Sequence, residues 1–160
     1  MKRTISAMVG RGSVNPNSRK LYAKNTAQEC SHLDITYCEE NIKAVYHELF
    51  DEALERHNAK QIRADRKIED YYEKIRSGKQ EKPFHEIILQ VGNKGNMSAD
   101  SDEKRLAAVL DEYMRGFQER NPSLQVFLAF LHMDESIPHM DIDFIPFITG
   151  SKQGWTQRYL

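Results

Sequence analysis

Two stretches decide the fold: Leu124-Gln-Val-Phe-Leu-Ala-Phe-Leu-His132 and, after six residues, His139-Met-Asp-Ile-Asp-Phe-Ile-Pro-Phe147. The first is apolar and aromatic almost throughout, as a strand covered on both faces would be. The second alternates, so residues two apart share a face. His139, Asp141 and Asp143 point one way, and Met140, Ile142 and Phe144 point the other. The short connection predicts an antiparallel hairpin.

Working outward, Thr4 to Val9 reads as a short strand stopped by Gly10-Arg-Gly12, and His32 to Tyr37 as another. Residues 12 to 38 are otherwise loop-like. Ile42, Val45, Tyr46, Leu49, Phe50, Ala53 and Leu54 recur at helical spacing, which predicts an amphipathic helix from Asn41 to about residue 57. A more polar helix is expected from Lys60 to Arg76, stopped at Gly78. Phe84 to Val91 reads as a strand. Asp102 to Arg120 reads as a helix with Leu106, Val109, Leu110, Tyr113, Met114 and Phe117 on one face, ended by Asn121-Pro122. Three or four strands with helices inserted between them give an α+β domain, an antiparallel β-sheet with helices packed on it.

The 160 residues suit one domain with one core. With 23 basic and 24 acidic side chains, net charge gives no pointer to a nucleic-acid partner. Its distribution does. No acidic residue precedes Glu29, yet Lys2, Arg3, Arg11, Arg19, Lys20 and Lys24 do, and such an arm suits phosphate as well as it suits plain solvation. Cys30 and Cys38 form no CxxC pair and read as free thiols. The start of the chain is not a signal peptide, and no apolar run is long enough to span a membrane. A cytoplasmic protein is expected.

Chemistry concentrates in the hairpin. Two histidines and four carboxylates lie between His132 and Asp143. The hairpin can bring His132 beside His139, so that His132, His139 and Asp141 offer two imidazoles and a carboxylate to one divalent ion. That mixture suits borderline-to-hard ions and leaves coordination positions open for a substrate oxygen. Other readings of the same residues are hydrogen-bonded hairpin histidines with solvated acids, and a facial triad built on His132-x-Asp134.

The pattern His-x-Asp-Glu-x-x-Pro-His-x-x-x-Asp-x-x-Pro, as it stands from His132 to Pro146, resembles the metal motif of the Mob/Pre plasmid mobilisation relaxases, a branch of the HUH endonucleases. Gly12-Ser-Val-Asn-Pro-Asn-Ser-Arg19 resembles that family's N-terminal motif, and Ser31-His-Leu33 the segment after it. The resemblance covers nearly the whole chain. It implies a relaxase catalytic domain over residues 1–160, one that nicks single-stranded or hairpin DNA at an origin of transfer and starts plasmid mobilisation. It further implies a divalent metal ion (Mn or Mg) on His132, His139 and Asp141, with Glu135 activating the nucleophile or assisting the metal. A DNA grip would come from Arg11, Asn17, Arg19 and Lys20. Other mobilisation proteins are implied as partners, with dimerisation through a C-terminal region that the family's longer chains carry.

Two positions depart from the family pattern. Asp141 stands where the family has a histidine, which leans the site towards harder metals. Pro16 stands where the family has its nucleophilic histidine, and proline has no nucleophilic side chain. Tyr22, a phenol six residues on, is the nearest replacement. The alternative is a degenerate module that binds origin DNA without cutting it.

Overall fold

The computed structural model describes residues 5–10, 34–91, 100–133 and 138–149. Five strands form one antiparallel sheet: β1 (Ile5–Val9), β2 (Ile35–Glu39), β3 (His85–Val91), β4 (Leu124–His132) and β5 (His139–Pro146), in the order β1-β3-β5-β4-β2. The expected hairpin β4–β5 lies at the centre. The architecture is α+β, as the sequence predicts, with one strand more than three or four.

Helix α1 (Ile42–Ala59) starts where the Asn41 side chain accepts from the backbone N–H groups of Lys43 and Ala44. That satisfies donors a helix start leaves unpaired. Helix α2 (Tyr71–Ser77) is capped in the same way by Asp70, which accepts from Glu73 N–H, and ends at Gly78. Helix α3 (Asp100–Arg115) is followed at Gly116 by a single turn, α4 (Phe117–Arg120).

The polar helix expected over residues 60–76 is not continuous. Asn58 accepts from Ile68 N–H and donates to Ile68 C=O, which ties residues 58 and 68 together. The chain between them makes only a 3₁₀ turn, Ala64–Arg66, before α2 begins. The helix expected over 102–120 likewise breaks at Gly116, and β2 starts three residues and ends two residues later than expected.

Each sheet face has its own core. On one, Leu106, Leu110, Met114 and Phe117 of α3 and α4 pack against Leu89, Val91, Leu131, Met140, Ile142 and Phe144. On the other, Val45, Tyr46, Phe50 and Leu54 of α1 with Tyr71 and Ile75 of α2 pack against Phe127, Leu128, Phe130 and Ile145. Register against β5 shifts between Val126 and Leu128, and this bulge turns both Phe127 and Leu128 to the α1–α2 side. The α1–α2 layer covers the β4 part of its face. Towards β1 the same face is open among the described residues: Ser6 and Met8 are exposed, and Gln90 and His139 half-buried. The metal-ligand candidates stand at this boundary between covered and open sheet.

Gly10 closes β1. Its N–H donates to Glu86 C=O at 3.1 Å, and a Cβ at Gly10 would overlap the Glu86 carboxylate. Only glycine lets that buried acid lie across the strand end.

Candidate metal centre

The end of β4 and the start of β5 bring His132 and His139 into direct cross-strand register. Directly opposed residues of an antiparallel pair share a face. Asp141 follows two residues along β5 and joins them. The coordinating atoms of His132, His139 and Asp141 all lie within 4.8 Å of one another. Asp141 Oδ2 is 3.4 Å from His132 Nε2 and 3.9 Å from His139 Nε2. The two imidazole centroids are 5.1 Å apart.

These residues fit a divalent ion. Ligand bonds of about 2.0–2.2 Å place neighbouring donor atoms roughly 3.0–3.6 Å apart, and the two imidazole–carboxylate spacings, 3.4 and 3.9 Å, need only a small contraction to reach it. Asp141 Oδ1 is buried with no hydrogen-bond partner among the described residues. A buried carboxylate oxygen in that state is costly unless something else neutralises it, and a cation does so. His132 is 1% exposed, while His139 is half-buried and faces the open part of the sheet. Among the described residues the centre is thus closed on the β4 side and open on the β3–β1 side, where a substrate oxygen could enter.

One functional residue escapes the sequence reading. Asp34, just before β2, holds His132 from behind: its Oδ2 is 3.1 Å from His132 Nδ1. Its Oδ1 accepts from Met133 N–H at 2.7 Å. A carboxylate accepts only, so neutral His132 carries its proton on Nδ1 and directs the Nε2 lone pair at the centre. Phe130 stacks on the same imidazole, with centroids 5.9 Å apart and planes 17° apart. Asp34 and His132 are 98 residues apart in sequence, and no spacing rule links them.

The structure therefore brings together all three expected metal ligands. Glu135, Tyr22, Pro16, Arg11, Asn17, Arg19, Lys20 and Cys30 lie outside the described residues. Cys38 is a free thiol, as expected. It lies against the carbonyls of Val126 and Phe127, and burial, reinforced by Glu40, pushes it up to about 11. No helix among the described residues is long and apolar enough to cross a membrane.

The sequence model of one family, described as plasmid recombination enzyme, matches residues 16–156 and so takes in the second half of the N-terminal motif and the whole β4–β5 hairpin. The chain belongs to the Mob_Pre family. No curated protein sequence matches it. Among solved structures it is similar to the MobM relaxase domain (MOBV; Mob_Pre), in Mn-bound crystal structures with plasmid pMV158 oriT DNA. At pH 5.5 the identity is 18% and the TM-score 0.47, over 92% of this chain and 72% of that one. The form at pH 4.6 gives the same identity and score over 96% and 77%.

Proposed function

We propose that this Mob_Pre chain is a metal-dependent relaxase domain, spanning residues 1–160, that nicks one strand of origin-of-transfer DNA. The observation that carries the reading is the convergence of His132, His139 and Asp141, whose coordinating atoms lie within 4.8 Å of one another on one sheet face. Membership of the Mob_Pre family, plasmid recombination enzymes, over residues 16–156 supports it.

A divalent ion there, Mn or Mg, would polarise the scissile phosphate and offset charge developing on its oxygens. The protein's own part is to hold the strand and supply the attacking group. Arg11, Asn17, Arg19 and Lys20 grip the phosphates, so affinity for single-stranded DNA falls as salt rises, with a log–log slope of about −2 to −4 for three to six contacts. Pro16 cannot attack. Tyr22 gives its phenolic proton to Glu135 and its oxygen bonds to phosphorus. The bond from phosphorus to the 3′ oxygen breaks, and that oxygen takes up a proton. The 5′ phosphate then remains on the protein. The work is cytoplasmic, with single-stranded or hairpin origin DNA and other mobilisation proteins as partners, and a dimer in the assembled relaxase.

Pro16 and Asp141, the two departures from the family pattern, favour a second reading: an origin-binding module that does not cut. A supercoiled plasmid carrying the cognate origin, incubated with the protein and Mn²⁺, separates the two. The relaxase gives nicked circles and a covalent adduct that Tyr22→Phe abolishes. A binding module retards the plasmid without nicking it, and Pro16→His, with or without Asp141→His, then restores cleavage. Nicking with no adduct, equal in Tyr22→Phe, would assign the attack to water.

A further inference from the structure

The register of the whole sheet carries the site beyond its metal ligands. Ser6 stands opposite Gln90, Gln90 opposite His139, and His139 opposite His132. Ile35 faces Leu131, which sets Asp34 beside His132, where its carboxylate is bonded. Ser6, Gln90, His139, His132 and Asp34 thus form one transverse polar row across all five strands, on one face. The next row on that face, Met8, Ile88, Asp141, Phe130 and Thr36, is mostly apolar, with Asp141 at its centre.

Three of these five residues, Asp34, His132 and His139, build the candidate metal centre. Gln90 is the next member out. Its neighbours along β3, Leu89 and Val91, are buried in the α3 core, so its own side chain lies on the site face. It is half-buried, and its side-chain amide makes no hydrogen bond among the described residues. Its main-chain carbonyl accepts from Ser6 Oγ at 3.3 Å, which holds the two strands level at this row. A primary amide brings two N–H donors, and the nearest cross-strand neighbour on β5 is the exposed-side ligand His139.

We propose that Gln90 is a phosphate-binding residue: its amide N–H₂ donates to a non-bridging oxygen of a phosphodiester held at the metal centre, on the open β3 side. The inference rests on the relaxase reading for the metal and the substrate class, and it adds the residue that fixes the phosphate's orientation. A divalent ion held by His132, His139 and Asp141 would neutralise one phosphate oxygen. An amide one strand over meets the second oxygen without competing for the ion, and being neutral it does not disturb the ligand charges. A hydrogen bond to a charged oxygen is worth about a tenfold change in affinity.

The test uses the full chain with Mn²⁺ alone and then with inorganic phosphate. Calorimetry gives the Mn²⁺ affinity, and paramagnetic broadening of the ³¹P resonance gives phosphate binding to the Mn-loaded protein. Gln90→Ala is expected to leave Mn²⁺ affinity within about twofold of wild type and to weaken phosphate binding five- to tenfold. Gln90→Lys, which also donates to phosphate, is expected to bind phosphate at least as well as wild type, a rescue that a packing role would not give. Phosphate binding that is unchanged in Gln90→Ala overturns the proposal. So does a Gln90→Ala variant that loses Mn²⁺ affinity tenfold, because Gln90 would then be a metal ligand. Wild-type protein that binds no Mn²⁺ at all overturns the relaxase reading itself, and that result is distinct from the other two.

Discussion

Asp34 and His132 meet across the β2–β4 pair at 3.1 Å, and the same carboxylate takes the Met133 N–H at 2.7 Å. One oxygen of the acid is thus tied to the Met133 backbone while the other meets the imidazole. A residue just before one edge strand sets the tautomer of a candidate ligand on the strand beside it.

Removing that charge should be felt at the metal. Asp34→Asn keeps an acceptor for Met133 N–H but no longer favours charge build-up on His132. Mn²⁺ affinity is expected to fall about ten- to a hundredfold. His139→Ala, which deletes a ligand, is expected to fall at least as far. Calorimetric titration measures both, and a circular dichroism melt separates ligand loss from unfolding. An Asp34→Asn protein with wild-type affinity would reduce Asp34 to a structural tie.

The Gly10–Glu86 contact gives a second prediction. Gly10→Ala drives a methyl into the buried Glu86 carboxylate, and the strain is expected to cost about 1–3 kcal/mol. Shortening the acid removes the overlap, so Gly10→Ala combined with Glu86→Ala should lose less than the sum of the two single changes. Urea unfolding of the four proteins gives the coupling. Strict additivity would show that the strand end relaxes instead.

Cys38 should be chemically quiet. Its thiol is raised from about 9 to about 11 by burial, and further by Glu40. The thiolate is the reactive form, so at pH 8 its population falls roughly a hundredfold. In a Cys30→Ser background, iodoacetamide is expected to label the folded protein far more slowly than the protein in urea. The sign is that of a raised acid: the folded state favours the protonated thiol, and this contribution to stability is lost as pH climbs above about 9 towards 11. Equal labelling rates would mean that β2 opens freely from β4.

The hairpin was legible because its signal is local. An apolar run, a short connection and a period of two place three ligands without any tertiary knowledge. The helix expected over 60–76 was not, because nothing in its local pattern marks the break, which depends on a side-chain clasp between Asn58 and Ile68. Asp34 stayed hidden for a related reason: it reaches its histidine from 98 residues away. Gln90 became visible only with the register of three strands. Composition and periodicity report what a residue is beside in the chain. A sheet whose order is β1-β3-β5-β4-β2 makes neighbours of residues that sequence keeps apart.

That strand order also bears on how the chain finds its fold. Only β4 and β5 are both sequential and adjacent, joined by residues 133–138; every other pairing closes a far longer loop. Loop closure costs conformational entropy before contacts repay it, and short closures are the fastest. The pair with the least to overcome is the pair that carries His132, His139 and Asp141. The sheet is then expected to grow from its middle outward, with these three side chains in the first piece to form, before the strands that flank them have arrived.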